Sequence, residues 1–495
     1  MELALQTLAS LVEPTRLLFL FLGVLVGLTI GLLPGLSGIV GMAMLLPFTY
    51  TMDPYTGIAM LIGVAAVSNT SDTFPSVLMG IPGSSGSQAT VLDGYPLARQ
   101  GQAARALSAA FVVSMVGGLI GALVLSFIVP FARPIILAFG SPELLMLTLF
   151  GLSMVGTLSG SHPLRGFLAG ALGLLLGTVG AATVAAAYRY VFDVPYLFDG
   201  IPLVIVALGL FALPEIIEIL VKGGSISEGE ETRSELGQGW IQGLRDAFTH
   251  RLLVVRHALI GVFVGFVPGL GSAVVDWINY GIVKQLSRDD ANFGKGDIRG
   301  VIAPESANNA KEGGALIPTL LFGIPGSAGM ALILGALLIQ GIQPGPQLVQ
   351  QNLDVFWIII WSLALANVMG TSISLVLSRP IARLTRVRFT LLMPFIYLMV
   401  VLAAYQSTRH WGDLIALAAF GLLGWLMKRH RMPRPPLLIG FILSTLVERY
   451  LYISNLRYGV EWLFRPGVVI IFVLLVIFLA ANALRRGRRG GRVDA

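Results

Sequence analysis

Gly27-Leu28-Thr29-Ile30-Gly31-Leu32-Leu33-Pro34-Gly35-Leu36 and Gly261-Val262-Phe263-Val264-Gly265-Phe266-Val267-Pro268-Gly269-Leu270 share the pattern GxxxGxxPGL inside apolar sequence. Proline lacks an N–H and clashes with the preceding turn, while glycine accepts backbone angles that other residues avoid. Pro-Gly within an apolar run therefore stops a helix. A second pair comes after it in the same order: Pro75-Ser76-Val77-Leu78-Met79-Gly80-Ile81-Pro82-Gly83-Ser84 and Pro318-Thr319-Leu320-Leu321-Phe322-Gly323-Ile324-Pro325-Gly326-Ser327 share PxxLxGIPGS. Two matches in one order argue for internal duplication.

The surroundings of these breaks identify the solvent. Of 495 residues, 55% are hydrophobic and 12% charged, whereas ordinary soluble domains carry about 25% charged residues. Mean hydropathy is +0.83. Apolar stretches near bilayer length recur at Leu17 to Leu33, Leu107 to Val129, Ile135 to Leu158, Val355 to Leu377 and Val468 to Leu484. They are long and continuous, not short and alternating, which predicts helices instead of a barrel. The expected fold is an all-α polytopic membrane protein with about 10 to 13 membrane segments. Glu2 and Glu13 precede the first run and no small-residue cleavage pattern stands behind it, so it reads as a retained span. With no cysteine, disulfides, thiolate metal sites and cysteine nucleophiles are excluded.

The duplication divides the chain into a first membrane repeat at 15–221, a polar connector at 222–251, a second repeat at 252–448, and a final membrane helix with a basic tail at 449–495. The net charge of +7 would suggest nucleic acid in a soluble protein, but here the basic residues lie in short loops and set topology. Segments 379–388, 428–434 and 485–492 hold four, four and five Lys/Arg, against one and three in 407–411 and 449–465. That alternation places the C-terminus in the cytoplasm.

A helix interrupted within the membrane exposes backbone groups, which is tolerated only when packed in protein or facing a wet cavity. Breaks at Pro34-Gly35, Pro82-Gly83, Pro268-Gly269 and Pro325-Gly326 thus point to a central site. If each opens a half-helix, its free N–H groups and positive dipole end suit a carboxylate. The substrate-binding candidates are Gly35, Ser37, Ser84, Gly269, Ser272, Thr319, Gly326 and Ser327 at the breaks, with Asn69, Thr70, Asn308 and Asn309 between them. Asp72, Asp276 and Glu305 are the acids for coupling to sodium or protons. Plainer readings stand beside these. Pro-Gly also makes ordinary turns, Asn308 and Asn309 can cap helix ends, and Glu305, Lys311 and Glu312 can lie in a solvated loop. Asp93-Gly94-Tyr95-Pro96, with Arg99 and Arg105, reads as a turn on the polar surface. The five histidines have no metal-site spacing, and His257 reads as a packing residue. No cofactor is expected, and the sequence has no P-loop for ATP.

Several of these residues carry a family resemblance. Phe293-Gly294-Lys295-Gly296, Ala303-Pro304-Glu305-Ser306-Ala307-Asn308-Asn309-Ala310, Pro318-Thr319, Gly323 to Ser327 and Gly341-Ile342-Gln343-Pro344-Gly345-Pro346 resemble the large membrane subunit of the tripartite tricarboxylate transporters. So do Pro34 to Leu36, Leu45-Leu46-Pro47, Gly80 to Gly83 and Asp93 to Gly101. The likeness covers most of residues 20–380. It implies an ion-driven secondary carrier of organic carboxylates in a bacterial inner membrane, in contact with membrane lipid. It also implies two partners, a periplasmic substrate-binding protein and a small membrane subunit. Family members typically have Tyr-Gly-Gly-Ser ahead of the first Ile-Pro-Gly, where Ser68 to Thr73 stands here, a departure that bears on substrate identity.

The working hypothesis is that two repeats of opposite topology enclose one site near the midplane. Charge supports inversion only in part: 222–256 and 284–311 each hold five Lys/Arg, but the first hairpin has only Arg16 before it. The rivals are a membrane enzyme acting on lipid-linked substrate, which needs a clustered acid/base or metal set, and an anion channel, which needs charge rings.

Overall fold

The computed structural model describes residues 2–33, 35–137, 139–158, 163–185, 187–222, 239–270, 272–287, 289–384 and 389–490. Pro34, Gly271, residues 223–238 of the connector and the end of the basic tail lie outside them, as does the side chain of Ser272.

The helices of the first half are α1 (Glu2–Leu11), α2 (Pro14–Gly31), α3 (Gly38–Leu45), α4 (Pro54–Ser71), α5 (Thr73–Leu78), α6 (Thr90–Arg99), α7 (Ala103–Leu137), α8 (Ser141–Leu158), α9 (Pro163–Leu176), α10 (Leu203–Ala207) and α11 (Leu213–Lys222). A π turn at Leu208–Ala212 joins α10 to α11, and a short hairpin pairs Gly180–Ala181 with Tyr188–Arg189. The chain continues through α12 (Trp240–Thr249), α13 (Arg251–Phe266), α14 (Ser272–Leu286), α15 (Arg299–Phe322), α16 (Ala328–Ile339), α17 (Pro346–Gln351) and α18 (Leu353–Val376). It ends in α19 (Ser378–Leu384), α20 (Phe389–Thr408), α21 (Trp411–Arg429), α22 (Pro435–Tyr458) and α23 (Pro466–Gly490). Proline opens many of these helices, at a position whose N–H would be unpaired anyway. Asp53 caps α4 by accepting from the N–H groups of Tyr55 (3.1 Å) and Thr56 (3.2 Å).

Among the described residues, six helices are long and apolar enough to cross a membrane: Pro14–Gly31, Ala103–Ala132, Leu203–Val221, Leu353–Val376, Trp411–Arg429 and Pro435–Phe464. Shorter apolar helices and the pair α12 and α13, bent by 74°, supply the remaining apolar segments, because a broken helix does not reach full span length. The chain is a multi-pass, all-α membrane protein. The apolar run read as Ile135 to Leu158 is shared by two helices, α7 ending at Leu137 and α8 beginning at Ser141.

Enclosure and apolarity do not run together in every helix. Residues 300–321 of α15 are all buried, as is most of α4, yet both carry polar residues and neither is among the six. Lipid-facing apolar side chains are found instead on α20 to α23, where Phe395, Ile415, Leu422 and Ile470 are exposed. Polar groups at membrane depth collect inside the bundle, where they can pair.

Helix direction can be read from which residues meet. In the first half α2 runs parallel to α4, with Gly23 against the Met60 carbonyl and Gly31 against that of Ser68. In the second half α13 runs parallel to α15, with Gly261 against the Ala307 carbonyl and Gly265 against that of Lys311. A Cβ on Gly31 or Gly265 would lie 2.3 and 2.2 Å from those oxygens, so only glycine permits this approach. Between halves the sense reverses: Asn69 meets Glu312, Thr70 meets Asn309 and Thr73 meets Glu305, so α4 and α15 are antiparallel. One end of the bundle therefore carries Asp53, Asp354, Thr49 and Gln340. The other carries Arg105, Asp246, Asp93 and Arg299.

Two surface readings change. Asp93 to Pro96 is helical, within α6, and Asp93 is fully buried. Its carboxylate accepts from the N–H groups of Gly294 (2.8 Å), Gly296 (2.9 Å) and Asp297 (2.9 Å), and from the Tyr280 hydroxyl (2.9 Å). It latches the loop before α15 to the first half. Residues 240–249 of the connector form a helix against α7, held by Arg105 and Asp246 at 2.5 Å.

Candidate functional site

The four breaks meet in pairs. Gly35 donates its N–H to the Gly83 carbonyl at 3.4 Å, and Gly269 donates to that of Gly326 at 3.0 Å. These are equivalent places in the two motif pairs. Their backbones agree as well, with φ +89° at Gly35 and +86° at Gly269, and +68° at Gly80 and +69° at Gly323. This left-handed region strongly favours glycine.

The breaks differ in how the chain leaves them. Ser327 caps α16, its hydroxyl accepting from Met330 N–H at 3.2 Å. Ser37 precedes α3 without a side-chain cap bond, and α14 starts at Ser272. Pro82-Gly83 opens no helix: the chain turns until α6 begins at Thr90. Local side chains take the amides there, Ser76 accepting from Gly83 N–H and Ser87 from Ser84 N–H, both at 3.3 Å. The expectation of a half-helix at every break fails at this position.

Between three of the breaks, all but Pro268-Gly269, lies a cavity of about 120 Å³ whose polar lining is Ser37, Asn69, Ser84, Lys311, Glu312 and Ser327, with Ser68 and Ser85, beside glycine backbone and apolar side chains such as Met42 and Met330. Among the described residues, Lys311 is the only cation lining it. Its ammonium contacts the Glu312 carboxylate, which also accepts from Asn69 Nδ2 at 2.9 Å. Asn69 and Glu312 stand eleven residues ahead of Gly80 and Gly323 respectively, so equivalent positions touch each other. Lys311 and Glu312 are in mid-helix and buried, not in a solvated loop. Neither is among the binding candidates drawn from sequence; the signal that finds them is this shared spacing.

A second layer lies behind the cavity. The Ser84 hydroxyl donates to Asp72, whose Oδ1 is buried without a partner among the described residues. Asn309 Nδ2 bridges Thr70 Oγ1 and Asn367 Oδ1, each at 2.8 Å, while the Oδ1 atoms of Asn308 and Asn309 are unpartnered among the described residues. Thus Asn308 and Asn309 face other helices from the middle of α15 and do not cap it. Glu305, also buried in mid-helix, accepts from Thr73 (3.1 Å), Thr90 (2.8 Å) and Ser114 (3.1 Å). Asp276 accepts from Ala89 N–H, and its Oδ1 is likewise unpartnered among the described residues. Among the described residues no three His, Asp or Glu lie close enough to hold a metal ion, so the three acids do not form one ligand cluster.

The other candidates shape the site from outside. Thr319 donates to Ala315 O at 2.7 Å and steadies the end of α15. Gly35 faces Glu215, and Gly269 packs on the Met154 and Val155 backbone. Buried His257 bonds Asn279 at 2.7 Å through Nδ1.

The cavity presents an ammonium paired with a carboxylate, together with hydroxyls, an amide and a break-derived helix start, so an entering carboxylate would meet the ammonium N–H groups that Glu312 leaves free. A family model described as the tripartite tricarboxylate transporter TctA family matches residues 17–439. A 52.8 kDa Agrobacterium vitis protein described from the TAR-I ttuC' 3' region is 34% identical over 443 residues, 88% of this chain and 86% of that protein. A second, from the TAR-II ttuC' 3' region of Agrobacterium vitis, is 36% identical over 191 residues, 39% of this chain and 79% of that protein. No solved structure matches.

Proposed function

The chain belongs to the tripartite tricarboxylate transporter TctA family, and from that premise we propose that it imports a small di- or tricarboxylate across a bacterial inner membrane. The family comprises transporters, not enzymes, which removes the lipid-linked enzyme reading. Its members act as the large subunit beside a periplasmic binding protein and a small membrane subunit. For this chain, delivery of substrate by such a binding protein is part of the proposal.

The observation that carries the reading is Lys311 in a cavity bounded by breaks from both halves. A buried lysine is costly unless paired. Glu312 balances its charge before substrate arrives, and a substrate carboxylate takes up the remaining ammonium N–H groups beside Ser37, Ser84 and Ser327. The opposed helix directions of the two halves fit an inverted duplication, in which the cavity opens alternately to either side.

Sodium fits the coupling role better than a proton. Asn308 Oδ1 and Asn309 Oδ1, unpartnered among the described residues and beside the acidic layer, are neutral oxygens that ligate a cation and do not titrate near neutral pH. Asp72, bonded to Ser84 at the cavity wall, links ion and substrate. The Arg299 end, with Arg99, Arg105, Lys284 and Lys295, faces the cytoplasm, and so does the C-terminus.

The test is uptake of labelled citrate, succinate and tartrate by proteoliposomes containing this chain, the small subunit and the binding protein. Accumulation should require the binding protein and an inward sodium gradient. Flux that only equilibrates, with or without sodium, would overturn the carrier reading.

A further inference from the structure

A second cavity, of about 270 Å³, lies at the Asp354 end, away from the central one. Its walls come from Phe139 to Leu144 at the start of α8, the Gln343–Pro344 stretch with the first turn of α17, and the last turns of α22. Arg449 and Arg457 project from α22 into it, and among the described residues no Asp or Glu lines it. Arg449 is held by Gln343 Oε1 at 2.9 Å, and Arg457 lies over the Tyr458 ring with 5.4 Å to its centroid. Neither pairs with a carboxylate among the described residues. Glu143 nearby is already matched by Arg465 at 2.7 Å.

From this arrangement we infer a second anion-binding site that takes a small dicarboxylate or tricarboxylate. Two guanidinium groups sharing a cavity repel each other, and an anion between them relieves that repulsion while accepting paired N–H groups. Eight residues of helix separate their attachment points by about 12 Å. Two arginines anchored that far apart in one cavity are matched by a ligand with two separated charges better than by a single phosphate. Amides of Gln343 and Gln347 and the hydroxyls of Tyr450 and Tyr458 supply neutral partners. The site is also connected to the central cavity. The twelve residues of α16, capped by Ser327 and opening with Gly329 in its first turn, run from the central cavity that these two line toward the segment that lines this one, about 18 Å along the helix. A carboxylate held here waits one half-helix from the transport site.

Equilibrium binding of labelled citrate to the purified full chain in neutral detergent tests this, with unfolding temperature as a check on integrity. Arg449→Gln with Arg457→Gln should lower the stoichiometry by one citrate per chain. That loss reads out whether or not the central cavity also binds citrate, so failure of the transport reading leaves it intact. Gln347→Glu, which keeps both arginines and adds a like charge to the ligand, should weaken the same site at least tenfold. Unchanged stoichiometry and affinity in these variants would overturn the inference. Displacement of citrate by equimolar inorganic phosphate, or by phosphatidylglycerol micelles, would also overturn it, assigning the cavity to a lipid phosphate instead.

Discussion

The two Gly-Ile-Pro-Gly-Ser elements have nearly the same backbone and different chemistry. Gly80 and Gly323 share their left-handed angle, and Gly83 and Gly326 accept the same kind of hydrogen bond. Yet the first has an acid behind it, Asp72, where the equivalent residue of the second half is Ala315, buried and apolar. Conversely, the second half has Lys311 and Glu312 where the first has Ser68 and Asn69. The two elements share a backbone and differ in the charges set behind it. The acid beside the first break suits a cation, and the ammonium beside the second suits an anion.

Removing the ammonium should break this division most strongly. Lys311→Gln alone leaves Glu312 as a buried carboxylate held, among the described residues, by Asn69 alone, a loss of about 3–5 kcal/mol of stability, measurable as reduced unfolding temperature. Lys311→Gln with Glu312→Gln restores neutrality, so the protein should fold while uptake falls at least about a hundredfold, roughly 2.7 kcal/mol. Retained uptake in the folded double variant would remove Lys311 from the transport site.

The next effect separates equivalent glycines. A Cβ on Gly83 would lie 2.6 Å from the Asp72 carbonyl, whereas on Gly326 its nearest neighbour is 3.6 Å away. Gly83→Ala should destabilise by about 1–3 kcal/mol and Gly326→Ala by well under that, in the same unfolding assay. Equal costs would mean that the two breaks pack alike.

Asp72→Asn should raise the sodium concentration for half-maximal uptake about tenfold and leave the substrate KM at saturating sodium nearly unchanged. A change in substrate KM alone would move Asp72 from the ion to the carboxylate. Ser327→Ala should have a small effect on stability, about 1 kcal/mol from the lost cap on α16, read in the same unfolding assay. Ser84→Ala should shift sodium dependence instead, because its hydroxyl bonds Asp72.

The breaks are legible in sequence because proline and glycine impose backbone geometry wherever they stand. The family resemblance rests on the same residues. Lys311 and Glu312 are harder to place, since average hydropathy cannot distinguish a charged loop in water from a charged helix walled in by other helices. Asp93 escapes a local reading for the same reason. Its partners, Gly294, Gly296 and Asp297, are some two hundred residues away, and no local pattern announces a carboxylate that will collect distant amides. The arginine-lined cavity shows in sequence only as loop charge, because its walls come from three separated segments.

The Asp93 latch has a consequence for assembly. One half supplies the carboxylate and the other the amides, while Glu305 with Thr73 adds a further stitch between them and Arg105 with Asp246 ties the connector to the first half. Chains cut after Lys222 and expressed as two polypeptides should find each other in the membrane and co-purify, and Asp93→Asn should loosen that reunion before it affects either fragment alone.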